Sequence, residues 1–124
     1  MDNINLFENL AQNNYNGQYY DFHNNFSCTK ILMKYDILTL FFINSENVIV
    51  SLQFQEASIV LFDFYNAKNT IYLTIDNIYR GRFEEGGKLL DITKDGKFYF
   101  YLEFVEGQKI EFFAKRIILN KEEL

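Results

Sequence analysis

The chain has 124 residues, the length of one ordinary domain, and its hydrophobic content of 48% excludes a disordered chain. The formal net charge of −5 opposes binding to nucleic acid or to an anionic membrane surface and favours a basic partner. The single cysteine cannot form an intramolecular disulfide, and neither a signal peptide nor a long apolar run is present, which predicts a cytoplasmic protein.

Residues 2–12 carry apolar side chains at the three- and four-residue spacing of an amphipathic helix. The apolar stripe consists of Ile4, Phe7, Leu10 and Ala11. A helix of this length is marginal alone, so we expect it to dock on a sheet of its own chain.

Residues 13–25, NNYNGQYYDFHNN, predict a loop that is rich in asparagine and in aromatic residues. Its tyrosines, Tyr19 and Tyr20 among them, either form a recognition loop or cap one end of the core. His23 is the only histidine of the chain, so it has no second histidine with which to share a metal ion. We predict that His23 is a polar loop residue.

From Phe26 onward the sequence shows the two-residue period of β-strands. The segment ILTLFFI at 37–43 is apolar almost throughout, which predicts a central strand. Residues 48–55 alternate as a half-buried antiparallel strand, and Val60, Phe62 and Phe64 share one face of the next strand. Gly81 interrupts 78–84, which predicts either a continuing strand or an edge strand with a bulge.

Residues 97–119 predict one long β-hairpin around which the rest of the chain is organised. A three-residue loop, 105–107, puts Gly107 at the position that needs positive φ. The facing pairs are then Leu102 with Ile110, Phe100 with Phe112 and Phe98 with Ala114 on one face, and Glu103 with Lys109 on the other. A second three-residue loop at 94–96 would place Ile92 opposite Phe98 and Leu90 opposite Phe100.

About eight or nine strands follow one another at the short spacing of an all-β fold. We predict a single β-rich domain over residues 1–124, with a short N-terminal helix at 2–12, an aromatic loop at 13–25 and strands over 28–119. The strands form an antiparallel meander, arranged either as a barrel or as a two-sheet sandwich.

The sequence offers no convincing catalytic centre. The acidic residues alternate along strands, where such side chains face solvent, and Glu103 has a structural partner in Lys109. Cys28 stands alone near the start of a strand, which predicts a buried small hydrophobe rather than a nucleophile. No metal-ligand spacing and no phosphate-binding or dinucleotide motif occurs. We therefore predict no cofactor, no metal and no enzymatic activity.

The outward face of the hairpin carries an unusual mixture of aromatic and acidic side chains, namely Tyr99, Tyr101, Glu103, Glu111 and Phe113. Either a helix or a second sheet covers this face, or the face is exposed and binds a protein partner. Burial of the two glutamates would be costly. We take these five residues, with Tyr19 and Tyr20, as the candidate partner-binding residues.

Two stretches give the chain a family resemblance: FHNNFSCTKILMKYDILTLFFIN at 22–44 and FYLEFVEGQKIEFFAKRIIL at 100–119. The second has the form F-x-L-x-F-x-x-G-x-x-I-x-F. Together they resemble small bacterial β-proteins, some of which are grouped with the immunity proteins of polymorphic toxins. Such families often show a His-Asp pair where this chain has His23-Asn24. The resemblance implies a compact inhibitor that covers the active site of a partner and performs no chemistry itself.

Three functional hypotheses follow. The first is an acidic protein-binding module of the immunity or inhibitor type, which occludes a basic partner such as a toxin or a defence nuclease. A phage-encoded inhibitor of a bacterial defence system would have the same physical profile. The second is a β-barrel that binds a small apolar ligand. The third is an enzyme with scattered carboxylates, which would need two acids to converge in one cleft.

Overall fold

A computed structural model describes residues 12–15, 18–63 and 74–123 of the chain. Within these ranges the protein is all-β and antiparallel, as predicted, and contains thirteen short strands rather than eight or nine. The strands are β1 (Gln12–Tyr15), β2 (Gln18–Asp21), β3 (Ser27–Lys34), β4 (Ile37–Ile43), β5 (Val48–Gln55), β6 (Ser58–Asp63), β7 (Ile75–Arg80), β8 (Arg82–Glu85), β9 (Lys88–Asp91), β10 (Thr93–Lys94), β11 (Lys97–Phe104), β12 (Lys109–Ala114) and β13 (Arg116–Glu123). The predicted helix at 2–12 lies outside the described residues, apart from Gln12, which begins β1.

Two larger sheets make up most of the described structure. One has the strand order β13-β5-β4-β3, and the other has the order β10-β11-β12-β6, with β7 also paired to β11. The hairpins β1-β2 and β8-β9 form two further sheets of two strands each. Over the ranges that the structure describes, both larger sheets are open, so the barrel alternative is wrong. The prediction that residues 37–43 form a central strand is confirmed, because β4 lies between β3 and β5 in its sheet.

Two chain segments pass from one larger sheet to the other and tie the sheets together. The first is β5–β6, which turns at Glu56 (φ 51°), and the second is β12–β13, which turns at Lys115. At this corner the N–H of Lys115 donates to the carbonyl of Gln55 at 2.9 Å. The neighbouring N–H of Ala57 donates to the carbonyl of Asp36 at 2.7 Å. The backbone therefore stays hydrogen-bonded where the strands change sheets.

The core lies between the two larger sheets and is built from phenylalanine and aliphatic side chains. Phe54 of β5 contacts Phe100 of β11 and Phe112 of β12 edge-on, with ring centroids 5.3 and 4.8 Å apart. All three rings are buried. Burial of a side chain of this size stabilises the fold by roughly 1.5–3 kcal/mol. These inward positions fill the space between the sheets with packed rings.

The register predicted for the organising hairpin is confirmed, but its predicted extent to residue 119 is wrong, because β12 ends at Ala114 and residues 116–119 belong to β13 of the other sheet. Leu102 lies opposite Ile110, Phe100 opposite Phe112, Phe98 opposite Ala114 and Glu103 opposite Lys109. Gly107 has a φ of 103°, its N–H donates to the Phe104 carbonyl, and the Phe104 N–H donates to the Gln108 carbonyl. The turn between β4 and β5 repeats this pattern, with Asn47 (φ 62°) at the equivalent position.

The predicted loop between β10 and β11 is wrong by one residue. Thr93 pairs with Phe98 and Lys94 pairs with Lys97, so the loop has two residues, Asp95 and Gly96, rather than three. Both have positive φ, 53° and 77°, as a type I′ turn requires. Ile92 and Leu90 therefore do not face Phe98 and Phe100, and Leu90 pairs instead with Phe83 of β8.

The predicted aromatic loop at 13–25 is also wrong in part. β1 and β2 form an antiparallel hairpin in which Asn13 pairs with Tyr20 and Asn14 pairs with Tyr19. Residues 22–25 form a turn, as a loop prediction implies, and that turn leads into β3.

Strand β6 departs from the single apolar face that its alternation predicts. Phe62 pairs with Ile110 and Leu61 with Glu111, but a bulge follows, and Ile59 pairs with Phe112. Val60 is skipped and is 60% exposed, while Phe62 is 54% exposed at the end of the strand order. The irregular register explains this exposure, together with the position of β6 as the last strand in the described order of its sheet.

Candidate functional site

The outer face of β11 and β12 brings together all five residues that the sequence predicts for it. Tyr99 lies opposite Phe113, and Tyr101 lies opposite Glu111, with Glu103 one pair further along the ladder. Each of the five side chains is half-buried. The face is therefore neither part of the core nor fully solvated.

Tyrosine hydroxyls hold both carboxylates of this face. The hydroxyl of Tyr99 donates to Oε1 of Glu111, and the hydroxyl of Tyr101 donates to Oε2 of Glu103 at 3.2 Å. The ring of Tyr99 also packs edge-on against Phe113, with centroids 5.5 Å apart. The alternation of β11 places the tyrosines on one face, and the register brings Glu111 beside them.

The predicted pair of Glu103 with Lys109 exists only as a register position. Across the described residues, Glu103 accepts a hydrogen bond from Tyr101 and forms no ion pair with Lys109. Glu111 is likewise bonded to a neutral hydroxyl. Neither carboxylate therefore has an ion-pair partner in the part of the chain that the structure describes.

Gly81 and Ile92 explain why Tyr99 is half-buried. The N–H of Gly81 donates to the Tyr99 carbonyl at 2.8 Å, the N–H of Tyr99 donates to the Ile92 carbonyl at 3.1 Å, and the N–H of Ile92 donates to the Gly81 carbonyl at 3.0 Å. A Cβ at Gly81 would overlap Cδ2 of the Tyr99 ring and lie 3.2 Å from Cδ1 of Ile92. The ring thus rests directly on the glycine backbone.

Leu61 extends the same face and was missed at the sequence level. It lies opposite Glu111 and is 39% exposed, next to the exposed Val60. The signal that could have revealed this surface is the run IVLF at 59–62, in which neighbouring positions on opposite faces are all apolar. Such a run belongs either to a strand buried on both faces or to one that exposes apolar side chains.

Tyr19 and Tyr20 lie at a different place from the hairpin face. Tyr20 is buried in the core, where its ring stacks on Phe22 with centroids 6.1 Å apart and tilts against Phe26 at 6.2 Å. Tyr19 is 53% exposed beside a polar cleft that none of the five hairpin residues lines. We therefore leave both tyrosines out of the proposed hairpin surface.

Asp21 organises the turn between β2 and β3. Its Oδ1 accepts the N–H groups of His23 and Asn24, each at 3.0 Å, and its Oδ2 accepts Nδ2 of Asn24 at 2.9 Å. Burial alone would raise the pKa of this carboxyl, but the hydrogen bonds from Asn24 and His23 outweigh burial and hold the pKa below its ordinary value. Asp21 is thus a structural carboxylate.

His23 is more than the polar loop residue that the sequence predicts. Its Nδ1 lies 2.5 Å from the carbonyl of Ile75, which is 52 positions away in the chain and begins β7. The half-buried imidazole therefore connects the turn after β2 to the sheet that contains β7.

Cys28 is buried, and burial raises the pKa of its thiol to about 12. A thiol in that state carries almost no thiolate at neutral pH, which suits a packing role better than a nucleophilic one. Metal-binding groups of three or more His, Cys, Asp or Glu side chains do not occur within the described ranges.

Comparison with known protein families and with characterised proteins finds no match to this chain. Among the residues that the structure describes, no helix has the length and apolar character that crossing a bilayer requires.

Proposed function

We propose that this chain is a non-enzymatic acidic protein-binding module, an immunity protein or inhibitor that occludes a basic partner such as a toxin or a defence nuclease. The observation that carries the proposal is the outer face of β11 and β12. There, among the described residues, the carboxylates of Glu103 and Glu111 accept hydrogen bonds from tyrosine hydroxyls and form no ion pair, beside half-exposed aromatic rings.

The chemistry of this face suits an arginine- or lysine-rich surface. Each carboxylate retains acceptor capacity beyond its one tyrosine bond, and arginine can occupy both oxygens of a carboxylate. The rings of Tyr101 and Phe113 offer aromatic surface for cation–π contact. The net charge of −5 would accelerate the approach of a basic protein.

The hydrogen bonds of the face also favour binding energetically. Tyr99 and Tyr101 fix their neighbouring glutamates before the partner arrives, so less side-chain freedom is lost on association. Leu61 adds an exposed apolar contact next to Glu111. Tyrosine is one of the residues enriched in the energetically dominant part of an interface, where the surrounding contacts exclude water.

The test uses two double variants with equal changes of charge. Glu103→Gln/Glu111→Gln keeps the size of the two side chains and one acceptor oxygen on each and removes their charge, whereas Glu84→Gln/Glu85→Gln makes the same change on the exposed β8-β9 hairpin. Tagged wild-type protein is used to capture a binding partner from host lysate, and the purified partner is then titrated with each variant.

We expect a basic partner whose affinity falls about tenfold or more with the face variant, stays unchanged with the hairpin variant and weakens as salt is added. Equal affinity for the two variants would place the interface elsewhere. A wild-type protein that captures nothing in stoichiometric amount would overturn the proposed function.

A further inference from the structure

Two clefts lie side by side where the turn after β2 meets the turn between β4 and β5. The first has a volume of about 440 Å³ and opens beside Tyr19, and the second has a volume of about 410 Å³ and opens beside His23. The two clefts share part of their wall, which includes Asn24 and Asn44 together with Asn25, Phe26 and Ser45. These volumes fall in the range of about 300–1,000 Å³ that is usual for small-ligand sites.

Hydrogen bonds engage opposite ends of the two side-chain amides in the shared wall, the NH2 group of Asn24 and the oxygen of Asn44. Nδ2 of Asn24 donates to Asp21. Oδ1 of Asn44 accepts the N–H groups of Glu46 and Val48 at 2.9 and 3.0 Å. These partners settle which end of each amide is oxygen and which is nitrogen. Within the described structure the wall therefore offers an uncommitted acceptor on Asn24 and an uncommitted donor on Asn44.

We propose that this paired cleft binds a neutral saccharide. Each hydroxyl of a sugar both donates and accepts, so adjacent hydroxyls satisfy a fixed acceptor and a fixed donor at once. The exposed ring of Tyr19 supplies an apolar surface for the C–H face of a pyranose. Among the described residues that line the first cleft, Glu46 and Lys121 carry opposite formal charges, which favours a neutral ligand over an anion.

The turn that carries Asn24 is already ordered, and this favours binding of a small polar ligand. Asp21 fixes the side chain and the backbone of Asn24, and the N–H of Asn25 donates to the Asp21 carbonyl at 3.0 Å. Little further freedom is lost when a ligand binds such groups. This site is separate from the hairpin face, so the two proposals stand or fall independently.

The test is a ¹H–¹⁵N NMR titration with glucose, galactose, mannose, N-acetylglucosamine and their β-linked disaccharides. Asn44→Asp is the critical variant, because its carboxylate still accepts from Glu46 and Val48 but no longer donates. Asn47→Asp is the matched control, since it adds the same charge in the same turn at a residue that lines neither cleft. N-acetylglycinamide serves as a peptide-like probe.

We expect at least one sugar to shift the side-chain amide signals of Asn24 and Asn44 with saturation at millimolar concentration. Asn44→Asp should weaken that binding about tenfold, whereas Asn47→Asp should leave it unchanged. Absence of saturable shifts with every sugar would overturn the proposal, as would equal binding by Asn44→Asp and wild type. Shifts caused by N-acetylglycinamide alone would assign the cleft to a peptide instead.

Discussion

The hydroxyl of Tyr99 on β11 donates a hydrogen bond to the carboxylate of Glu111 on β12, on a sheet face that is only half-buried. The two residues are not a directly opposed pair, since Tyr99 faces Phe113 and Glu111 faces Tyr101. The bond is a diagonal one across the ladder. Because the Tyr99 ring is packed against Phe113, this hydrogen bond also fixes the position of the Glu111 carboxylate on the proposed binding surface.

Tyr99→Phe removes this hydrogen bond and keeps the ring. Because the bond reaches a charged but partly solvated acceptor, we expect a loss of roughly 1 kcal/mol in the free energy of unfolding, measured by urea denaturation. Tyr35→Phe is the control, because Tyr35 is 88% exposed and the same atom is removed there. Equal changes for the two variants would show that the Tyr99 bond contributes nothing to stability.

Gly81→Ala tests the close approach of the Tyr99 ring to the backbone of Gly81. The added Cβ would overlap Cδ2 of Tyr99, so the ring has to move away from its position beside Glu111 and Phe113. We expect destabilisation of about 1–3 kcal/mol, as for other overpacked sites.

A double-mutant cycle separates this clash from any effect on the Gly81 backbone. In a Tyr99→Ala background the ring is absent, so Gly81→Ala should cost much less than it does in the wild-type protein. If the cost is the same in both backgrounds, the ring contact does not explain the requirement for glycine.

The hairpin register could be predicted because one local rule and one pattern agree. Gly107 permits the three-residue loop, and only that loop separates the apolar residues from the charged ones. The β10-β11 turn differs from the prediction because Asp95 and Gly96 both adopt positive φ and close a two-residue turn, whereas the predicted three-residue loop requires positive φ at Gly96 alone.

The site could be predicted only in part, because its decisive contacts are distant in sequence. The five residues of the hairpin face follow from strand alternation, but the exposure of Val60 depends on a bulge against β12. His23 meets Ile75 across 52 positions, and the clefts beside Asn24 and Asn44 arise where two separate turns meet. No local period encodes such contacts.

Asp21→Asn tests the carboxylate that organises the turn after β2. The folded-state pKa of Asp21 lies below its ordinary value of 3.8, so its stabilisation is present above that value and is lost as pH falls through the folded pKa. We expect the variant to be less stable by about 1 kcal/mol at pH 7. The difference should shrink as the pH is lowered below 3.8 and the carboxyl group of wild-type Asp21 becomes protonated.

Urea denaturation at about pH 7 and at a pH below 3.8 measures this difference in stability, with Asp95→Asn as the control. Asp95 is exposed at the β10-β11 turn, and asparagine tolerates its positive φ equally well. A constant difference between Asp21→Asn and wild type over the whole pH range would contradict a role for the carboxylate charge.

We expect the free energy of unfolding to fall at alkaline pH because the thiol of Cys28 is buried. Its thiol has an ordinary pKa of 9.0 but a folded-state pKa of about 12, so the unfolded chain releases its proton first as pH rises. Stability contributed by the buried neutral thiol is therefore lost from about pH 9 upward. Between about pH 8 and pH 10 the wild type should lose roughly 1.4 kcal/mol more than Cys28→Ala. Parallel pH profiles for the two proteins would rule this out.

Val60→Lys tests whether the exposed side of β6 promotes self-association. Apolar strands at the side of a sheet are a risk for association between chains, and lysine is the residue that natural proteins place there to prevent it. Val60 is exposed and has no partner in the β6-β12 register, so the substitution should change the free energy of unfolding by no more than about 0.5 kcal/mol.

Sedimentation velocity over a range of concentrations measures this effect. We expect wild-type protein to show a rise in mean mass with concentration that Val60→Lys reduces. Val105→Lys adds the same charge at an exposed valine in the β11-β12 loop and should behave as wild type. A similar reduction by both variants would point to net charge, not to strand β6, as the cause, because added charge at any surface position would then suffice.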